Sequence, residues 1–501
     1  MAEATRPPNI LVFFCDQLRL DLLGCYGVQS VRTPNLDALA GESVVFERAY
    51  TPTALCSPAR ASLMTGLYPH AHHMFNNSTP GYSYCEHLRA DLDTLPGWAD
   101  AETNYETAYF GKWHIGPAQD LFESAFHHTH PQPFDGGPPF LASSHWHPSP
   151  ALGEVGVSLA GGKAGTLRIP MDAFPDAAAA SYTRQFLRAR EGGRPFLACC
   201  AFPGPHSPWF VPDEFGIRYD PAQIPMWANR HDRFAGKPVA QKKLRLQELA
   251  RHGTDYQAQA DGELRELLAG LFSYVELIDT LVGEVLTDLR DSGLAEETTV
   301  VFTADHGDMA GAHGFLSKGS YMYDEIYRIP LIVRPAGESA PRRVAAPVHL
   351  MDVTATIMQQ MAGRPVTAMR THELHGRSLE ALMAGADECA RRLHYAEYHG
   401  DWYGHYSARM VTDGRWKLVW NLMDHCELYD LESDPGELRN LFYDPAYRAV
   451  RDEYFAALRE EALRLGDRQV RLLPEVEAWL PGGLDDELRA SDWTSCSPKG
   501  S

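Results

Sequence analysis

Two carboxylates, a carboxamide and an imidazole stand directly behind two apolar, strand-like runs. Asp16 and Gln17 follow Asn9–Cys15; Asp305 and His306 follow Thr298–Thr303, far along the chain. In an open α/β sheet ligands collect outside the carboxyl ends of the strands, so four donors delivered there could share one divalent cation. A single Asp behind a strand is more often a turn or helix-cap residue. The conjunction of two such pairs carries the reading.

A second group is suited to an anion. In Leu55-Cys56-Ser57-Pro58-Ala59-Arg60-Ala61-Ser62-Leu63-Met64-Thr65-Gly66, Pro58 marks the start of a predicted helix. That places Cys56 and Ser57 at its N-terminus, where backbone N–H groups and the dipole favour negative charge, with Arg60 one turn in and pointing back at the same anion. The plainer alternative makes Cys56 a core thiol and Ser57 a cap. Lys112 and His114 lie two apart, on the same side of an extended segment. His206 sits in the proline-flanked loop Phe202–Pro208, and Lys318 follows the Asp305–Asp308 loop. A lone Lys or His outside a strand is ordinarily a surface residue.

These residues need a scaffold. Strand-like runs recur at Asn9–Cys15, Ser43–Phe46, Glu106–Phe110, Phe196–Phe202, Thr298–Thr303 and Ile329–Val333, and Leu271–Arg290 carries helical periodicity that stops near Gly293. Alternating strands and helices predict a large α/β domain over 1–370, with a mixed, mostly parallel sheet sandwiched by helices. Over 371–470 the pattern becomes a smaller α+β domain. It comprises predicted strands His394–Tyr398, Ser407–Thr412 and Trp416–Trp420 and a helix around Val450–Leu465. The stretch 471–501 reads as a tail that packs on a neighbouring subunit or stays loose. The Pro-, Gly- and His-rich segment Phe126–Pro150 is an active-site lid, a second metal site or a solvated loop.

Composition narrows the partners. The 501 residues carry 45 Lys+Arg against 66 Asp+Glu, a formal charge of −21, which argues against nucleic acid and anionic membranes. The 44% hydrophobic and 22% charged content is that of an ordinary soluble globular protein. The run Ile10–Cys15 is closed by Asp16, too short for a membrane span or a secretory core, and no basic region precedes it. Nine cysteines, odd and sparse, predict reduced thiols in a cytoplasmic enzyme. An anionic substrate therefore requires a local basic constellation against a field of the wrong sign.

The motifs resemble those of the sulfatase family. Cys56-Ser57-Pro58-Ala59-Arg60 matches the family's Cys-x-Pro-x-Arg core, which Ala61–Gly66 continues. Gly111-Lys112-Trp113-His114, Thr303-Ala304-Asp305-His306-Gly307, and Glu427–Leu431 with Asp434-Pro435 and Asn440-Leu441 follow in family order. The resemblance implies an alkaline phosphatase-like fold. It also implies conversion of Cys56 to formylglycine by a formylglycine-generating enzyme that reads Pro58 and Arg60. The hydrated aldehyde would be the nucleophile, held by Arg60. A divalent ion would be bound by Asp16, Gln17, Asp305, His306 and an oxygen of the modified Cys56.

Many family members have a second Asp at the place of Gln17 and an Asn at that of His306. The Gln–His combination is similar to that of phosphonate monoester hydrolases and choline sulfatases, and widens the choice of ion from Ca2+ to Mn2+. Lys112, His114, His206 and Lys318 resemble the family's sulfate-binding and proton-handling set. The lysines would neutralise charge, His114 would be the base that releases sulfate, and His206 a donor to the substrate or leaving oxygen. Asp308 and His313 read as structural.

Ser57 as a phosphatase-like nucleophile and His70, His72 and His73 as a metal cluster are set aside, and Cys199-Cys200 reads as core. The expectation is a sulfuric ester hydrolase acting on small aryl sulfate monoesters, promiscuous toward phosphonate monoesters and phosphodiesters, and assembled as a homodimer or tetramer. The alternatives are a phosphonate monoester or phosphodiester hydrolase, a choline sulfatase with Trp113, Trp146, Trp209 or Trp402 as an aromatic cage, and an inactive binding homologue. Intact Cys56, Arg60, Lys112, His114, Asp305 and Lys318 weigh against the last.

Overall fold

The structure, a computed structural model, describes residues 7–78, 83–116, 126–131, 154–190, 193–252, 261–337, 340–386, 389–400 and 406–472. Its centre is an eight-stranded sheet. In chain order the strands are β1 (Asn9–Cys15), β2 (Val44–Phe46), β3 (Glu106–Gly111), β4 (His128–Pro131), β5 (Phe196–Phe202), β6 (Thr298–Ala304), β7 (Leu331–Arg334) and β8 (Arg342–Val344). Across the sheet the order is β8-β2-β7-β6-β1-β5-β3-β4. Only β7 runs antiparallel to its neighbours β6 and β2; the other pairs are parallel.

Strands covered on both faces read as continuous apolar runs, and β1, β5 and β6 are buried throughout. The register of these three sets up everything downstream. Cys15 at the end of β1 is paired with Ala304 of β6 and with Phe202 of β5. Asp16, Asp305 and the loop after Phe202 therefore emerge side by side. The backbone ties them: Asp305 N donates to Cys15 O at 3.1 Å, and Asp16 N to Phe202 O at 3.2 Å and Gly204 O at 3.1 Å.

Helices flank the sheet in two contacting groups. One contains α1 (Pro34–Gly41), α3 (Pro175–Arg188) and α4 (Asp261–Asp291); the other contains α2 (Cys56–Thr65) and α5 (Leu350–Ala362). Among the described residues no helix is long and apolar enough to cross a membrane. A four-stranded antiparallel sheet, β9 (His394–Tyr398), β10 (Ala408–Thr412), β11 (Trp416–Asn421) and β12 (Glu427–Asp430), packs with α6 (Arg448–Arg464). Its core extends to Tyr68 and Met351, so the small sheet is welded to the large one by apolar contact.

Several sequence expectations are corrected. The run Ile329–Val333 is interrupted at Pro330, which has no N–H for a ladder. Arg328–Ile329 joins a separate three-stranded sheet, and β7 starts afresh at Leu331. Helix α4 begins at Asp261 rather than Leu271, with Leu264, Leu267 and Leu268 extending its buried stripe. The three-stranded sheet formed by Val155–Leu159, Ala164–Leu167 and Trp209–Pro212, and strand β12, were not expected. The start of the proposed lid is edge strand β4, parallel to β3; residues 132–150 of that segment, and 473–501 of the tail, lie outside the described residues.

Candidate active site

Cys56 is the first residue of α2 and is 1% exposed. The helix thus starts two residues before Pro58. Pro58 is tolerated in the first turn because N–H groups there have no intrahelical acceptor; the first such bond runs from Ala59 N to Leu55 O at 2.9 Å. Cys56 Sγ lies 3.3 Å from His306 Nε2, 3.8 Å from Asp16 Oδ1 and 4.0 Å from Asn77 Nδ2. Lys318, His114 and His206 also stand beside it. Burial pushes the thiol up, but Lys112, Lys318 and His306 outweigh it and hold the group well below its ordinary range.

Arg60 departs from the sequence reading. Rather than aiming at an anion, its guanidinium clasps both carboxylates. Nε donates to Asp305 Oδ2 at 3.0 Å, Nη2 to Asp16 Oδ2 at 3.2 Å and Nη1 to Lys112 O at 2.7 Å, while the plane lies 4.7 Å from the Phe14 ring centre. Lys112 Nζ completes the clasp 2.5 Å from Asp16 Oδ2. The two carboxylates separate accordingly. Burial raises Asp16, but Lys112, His206 and Arg60 draw it below the usual range. Burial beside Asp16 pushes Asp305 up to about 7 in spite of Arg60, because two like charges share one dry site.

The route that delivers His114 also differs from expectation. β3 ends at Gly111, whose φ of +114° and approach to Ala201 leave no room for a side chain: a Cβ would sit 1.9 Å from Ala201 O. His114 itself has φ +63°, so the segment is not extended, and it is this turn that brings both Lys112 and His114 to Cys56. Burial, with Lys112 alongside, lowers His114 to about 4, leaving a neutral ring at pH 7.

On the next loop, Gly204 N donates to Asp176 Oδ1 at 2.8 Å, and Tyr274 OH to Asp176 Oδ2 at 2.7 Å. This fixes the chain ahead of His206. His206 Nδ1 faces Ser207 O at 2.6 Å, so it carries the proton, and Nε2 accepts from Lys318 Nζ at 2.9 Å. As held here, the proton of this pair is on Lys318.

Gln17, also at positive φ (+63°), donates its backbone N–H to Asp305 Oδ1 at 2.9 Å. Its side-chain Oε1 accepts from Lys318, and its Nε2 donates to Asp308. His306 Nδ1 donates to Gly307 O at 2.8 Å, so Nε2 is the ring nitrogen turned toward Cys56. The ligand atoms of Asp16, Cys56, Asp305 and His306 all lie within 4.8 Å of one another and are buried. Two carboxylates, an imidazole nitrogen turned inward and a cysteine-derived atom suit a divalent ion. The donor set fits.

The family model Sulfatase matches residues 8–363. The chain belongs to the sulfatase family. A second model, N-sulphoglucosamine sulphohydrolase, C-terminal, matches residues 311–463 of this sulfatase. An uncharacterized sulfatase of Escherichia coli (strain K12) is 29% identical over 92% of this chain and 88% of its own length. The choline-sulfatase of Rhizobium meliloti (strain 1021) is 27% identical over 92% and 90%. The crystal structure of the phosphonate monoester hydrolase of Agrobacterium radiobacter superposes with a TM-score of 0.71 at 25% identity, covering 91% of this chain and 95% of that one.

Other sequence candidates fall elsewhere in the sulfatase. Ser57 Oγ accepts from Ser78 N at 2.9 Å and its N–H donates to Asn77 Oδ1 at 3.0 Å, so it braces the loop beside Cys56. Trp113 and Trp209 are buried, Trp209 donating to Pro205 O; Trp146 and Trp402 lie outside the described residues. Cys199 and Cys200 are in the core of β5, and all eight cysteines among the described residues are free.

His70, His72 and His73 form no metal cluster. His72 pairs with Ser62, and His70 Nδ1 lies 2.9 Å from Glu397 Oε2 on β9 while its Nε2 lies 3.0 Å from Leu465 O. The neighbouring Asp467 is taken by Arg409 Nε at 2.5 Å. Sequence reasoning missed Asn77, Asp176 and Tyr274. None stands in a motif, and their roles arise only from packing.

Proposed function

We propose that this sulfatase hydrolyses small sulfate monoesters, aryl sulfates foremost, with a nucleophile made from Cys56, and that it also accepts singly charged phosphonate monoesters and phosphodiesters. One observation carries the reading: a cysteine at the first residue of a buried helix, within reach of Lys318, His114, His206 and His306, its thiol held low. Oxidised to an aldehyde and hydrated, that side chain supplies one hydroxyl to attack sulfur and a second whose deprotonation expels sulfate. A divalent ion, Ca2+ or Mn2+, would be held by Asp16, Gln17, Asp305, His306 and the Cys56 oxygen, and would supply Lewis-acid withdrawal of charge from the ester.

The protein groups divide the remaining work. Lys112 and Lys318 oppose the charge that builds on non-bridging and leaving oxygens. Lys318, hydrogen-bonded to His206 Nε2, holds the proton that the departing alcohol or phenol oxygen needs. Neutral His114, in contact with Cys56, accepts the proton whose removal releases sulfate. Arg60 keeps Asp16 and Asp305 at fixed separation.

With Gln17 and His306 the metal site carries one carboxylate fewer than the commoner set with Asp at 17 and Asn at 306, and this favours the phosphonate and phosphodiester side activity as a second reading. Peptide mass spectrometry across Cys56 tests the first claim: an aldehyde is expected, and an unmodified thiol in active protein refutes it. Matched aryl sulfate and aryl phosphonate esters test the second; a clearly higher kcat/KM for the phosphonate reverses the order of preference.

A further inference from the structure

We infer that Asp308, together with Lys318, fixes the orientation of the Gln17 carboxamide and so which of its ends is available to a cation. A carboxamide has one end that accepts and one that donates, and only the oxygen can ligate a cation or accept from a lysine. Gln17 is gripped from both sides by groups that each permit one orientation. Asp308 Oδ2 accepts from Gln17 Nε2, and a carboxylate has no proton to give. Lys318 Nζ donates to Gln17 Oε1, and an ammonium has no lone pair to offer. Ser317 Oγ adds a second acceptor 3.3 Å from Nε2.

Asp308 is itself locked. Its Oδ1 accepts from Ala310 N at 2.6 Å and Ser317 N at 3.0 Å, so the loop that carries Lys318 is folded around the same carboxylate that orients Gln17. Asp308 is 1% exposed and Gln17 is fully buried, so water does not substitute for either partner. A chain with carboxylate at position 17 would have no need of such a device; one with carboxamide there does, because a flipped amide would turn its NH2 to Lys318 and its oxygen, the one atom able to ligate, to Asp308. Asp308 is thus a positioning residue, acting through Gln17, and it turns a neutral side chain into a ligand of defined polarity.

The inference rests on the reading of Gln17 as a metal ligand, and its test reads metal binding rather than ester turnover. In Asp308→Asn, the two backbone N–H groups must keep Asn Oδ1, so Asn Nδ2 faces Gln17 and forces the carboxamide to flip. Chelator-competition titration with Mn2+ on purified, folded protein is expected to show a tenfold to hundredfold loss of affinity, on the order found for outer-shell partners of metal ligands. Gln17→Glu alone sets a carboxylate against Asp308 and is expected to bind Mn2+ no more tightly than wild type, although it adds negative charge. The double variant Gln17→Glu/Asp308→Asn restores a donor–acceptor pair and is expected to return to within a few-fold of wild type.

Affinity in Asp308→Asn within twofold of wild type overturns the inference. So does a double variant no better than the weaker single one. If Asp308→Asn does not fold, the comparison of Gln17→Glu with wild type decides, and tighter binding by Gln17→Glu overturns it. Wild-type protein that binds no Mn2+ or Ca2+ overturns the metal reading and this one with it.

Discussion

The His70–Glu397 contact makes the union of the two sheets dependent on pH. His70 Nδ1 faces a carboxylate and Nε2 faces a carbonyl oxygen. Both partners only accept, so both ring nitrogens must donate and the ring is an imidazolium. Burial pushes its pKa down, but Glu397, by charge and hydrogen bond, raises it from 6.5 to about 9. At ~1.4 kcal/mol for each factor of ten, a rise of about 2.5 corresponds to about 3 kcal/mol. The side chain is 11% exposed, so solvent screening removes little of it.

The sign is fixed by a folded value above the unfolded one. The contribution is fully present below pH ~6.5 and is lost as pH rises through about 9. Other charged groups at the contact, Arg409, Asp467 and His399, face Glu397 and are shared by any variant at position 70. The measurement is urea unfolding of wild type and His70→Gln between pH 6 and 10. The stability gap between them is expected to narrow by about 3 kcal/mol across that window. A gap that stays constant with pH refutes the imidazolium and the argument from its two acceptors.

Three further outcomes are expected. His114→Ala should cleave the first equivalent of aryl sulfate and then stall, with steady-state turnover down on the order of 10²–10⁴-fold, seen as a burst of phenol in rapid mixing; an unchanged steady state removes His114 from the second half of the reaction. Stripping divalent ions with chelator should abolish turnover and lower the thermal midpoint, and Mn2+ at a hundred times its Kd should restore about 2.7 kcal/mol of stability. Gly111→Ala places a Cβ against Ala201 O in left-handed backbone and should cost at least ~2 kcal/mol in urea unfolding; a neutral effect contradicts the tight approach of β3 to β5.

The parts of the molecule legible in the sequence are those determined by local pattern. β1, β5 and β6 are apolar throughout because they are covered on both faces, and their in-register ends place Asp16, Asp305 and the His206 loop together as motif order implies. What was not legible depends on distant packing. Arg60 has the composition of an anion binder, but Asp16 and Asp305 meet it first. Nothing in Gly111–His114 announces the positive φ of His114 that replaces an extended segment. Asp308 stood in plain view beside Asp305, yet its task is set by the orientation of Gln17, which no spacing reveals.

The strand order imposes a timetable on synthesis. β1 lies between β5 and β6, whose residues come roughly 180 and 280 positions after it, and Asp305 is needed to complete the clasp on Arg60. At a typical ~5–20 residues per second, about 12–50 s pass between the emergence of Cys56 and that of β6. In the finished fold all ten residues of α2 are buried and Cys56 is beyond the reach of another enzyme. Any enzymatic oxidation of Cys56 must therefore be finished while the chain is still being made or before it closes, so the speed of folding sets an upper limit on the fraction of molecules that ever become active.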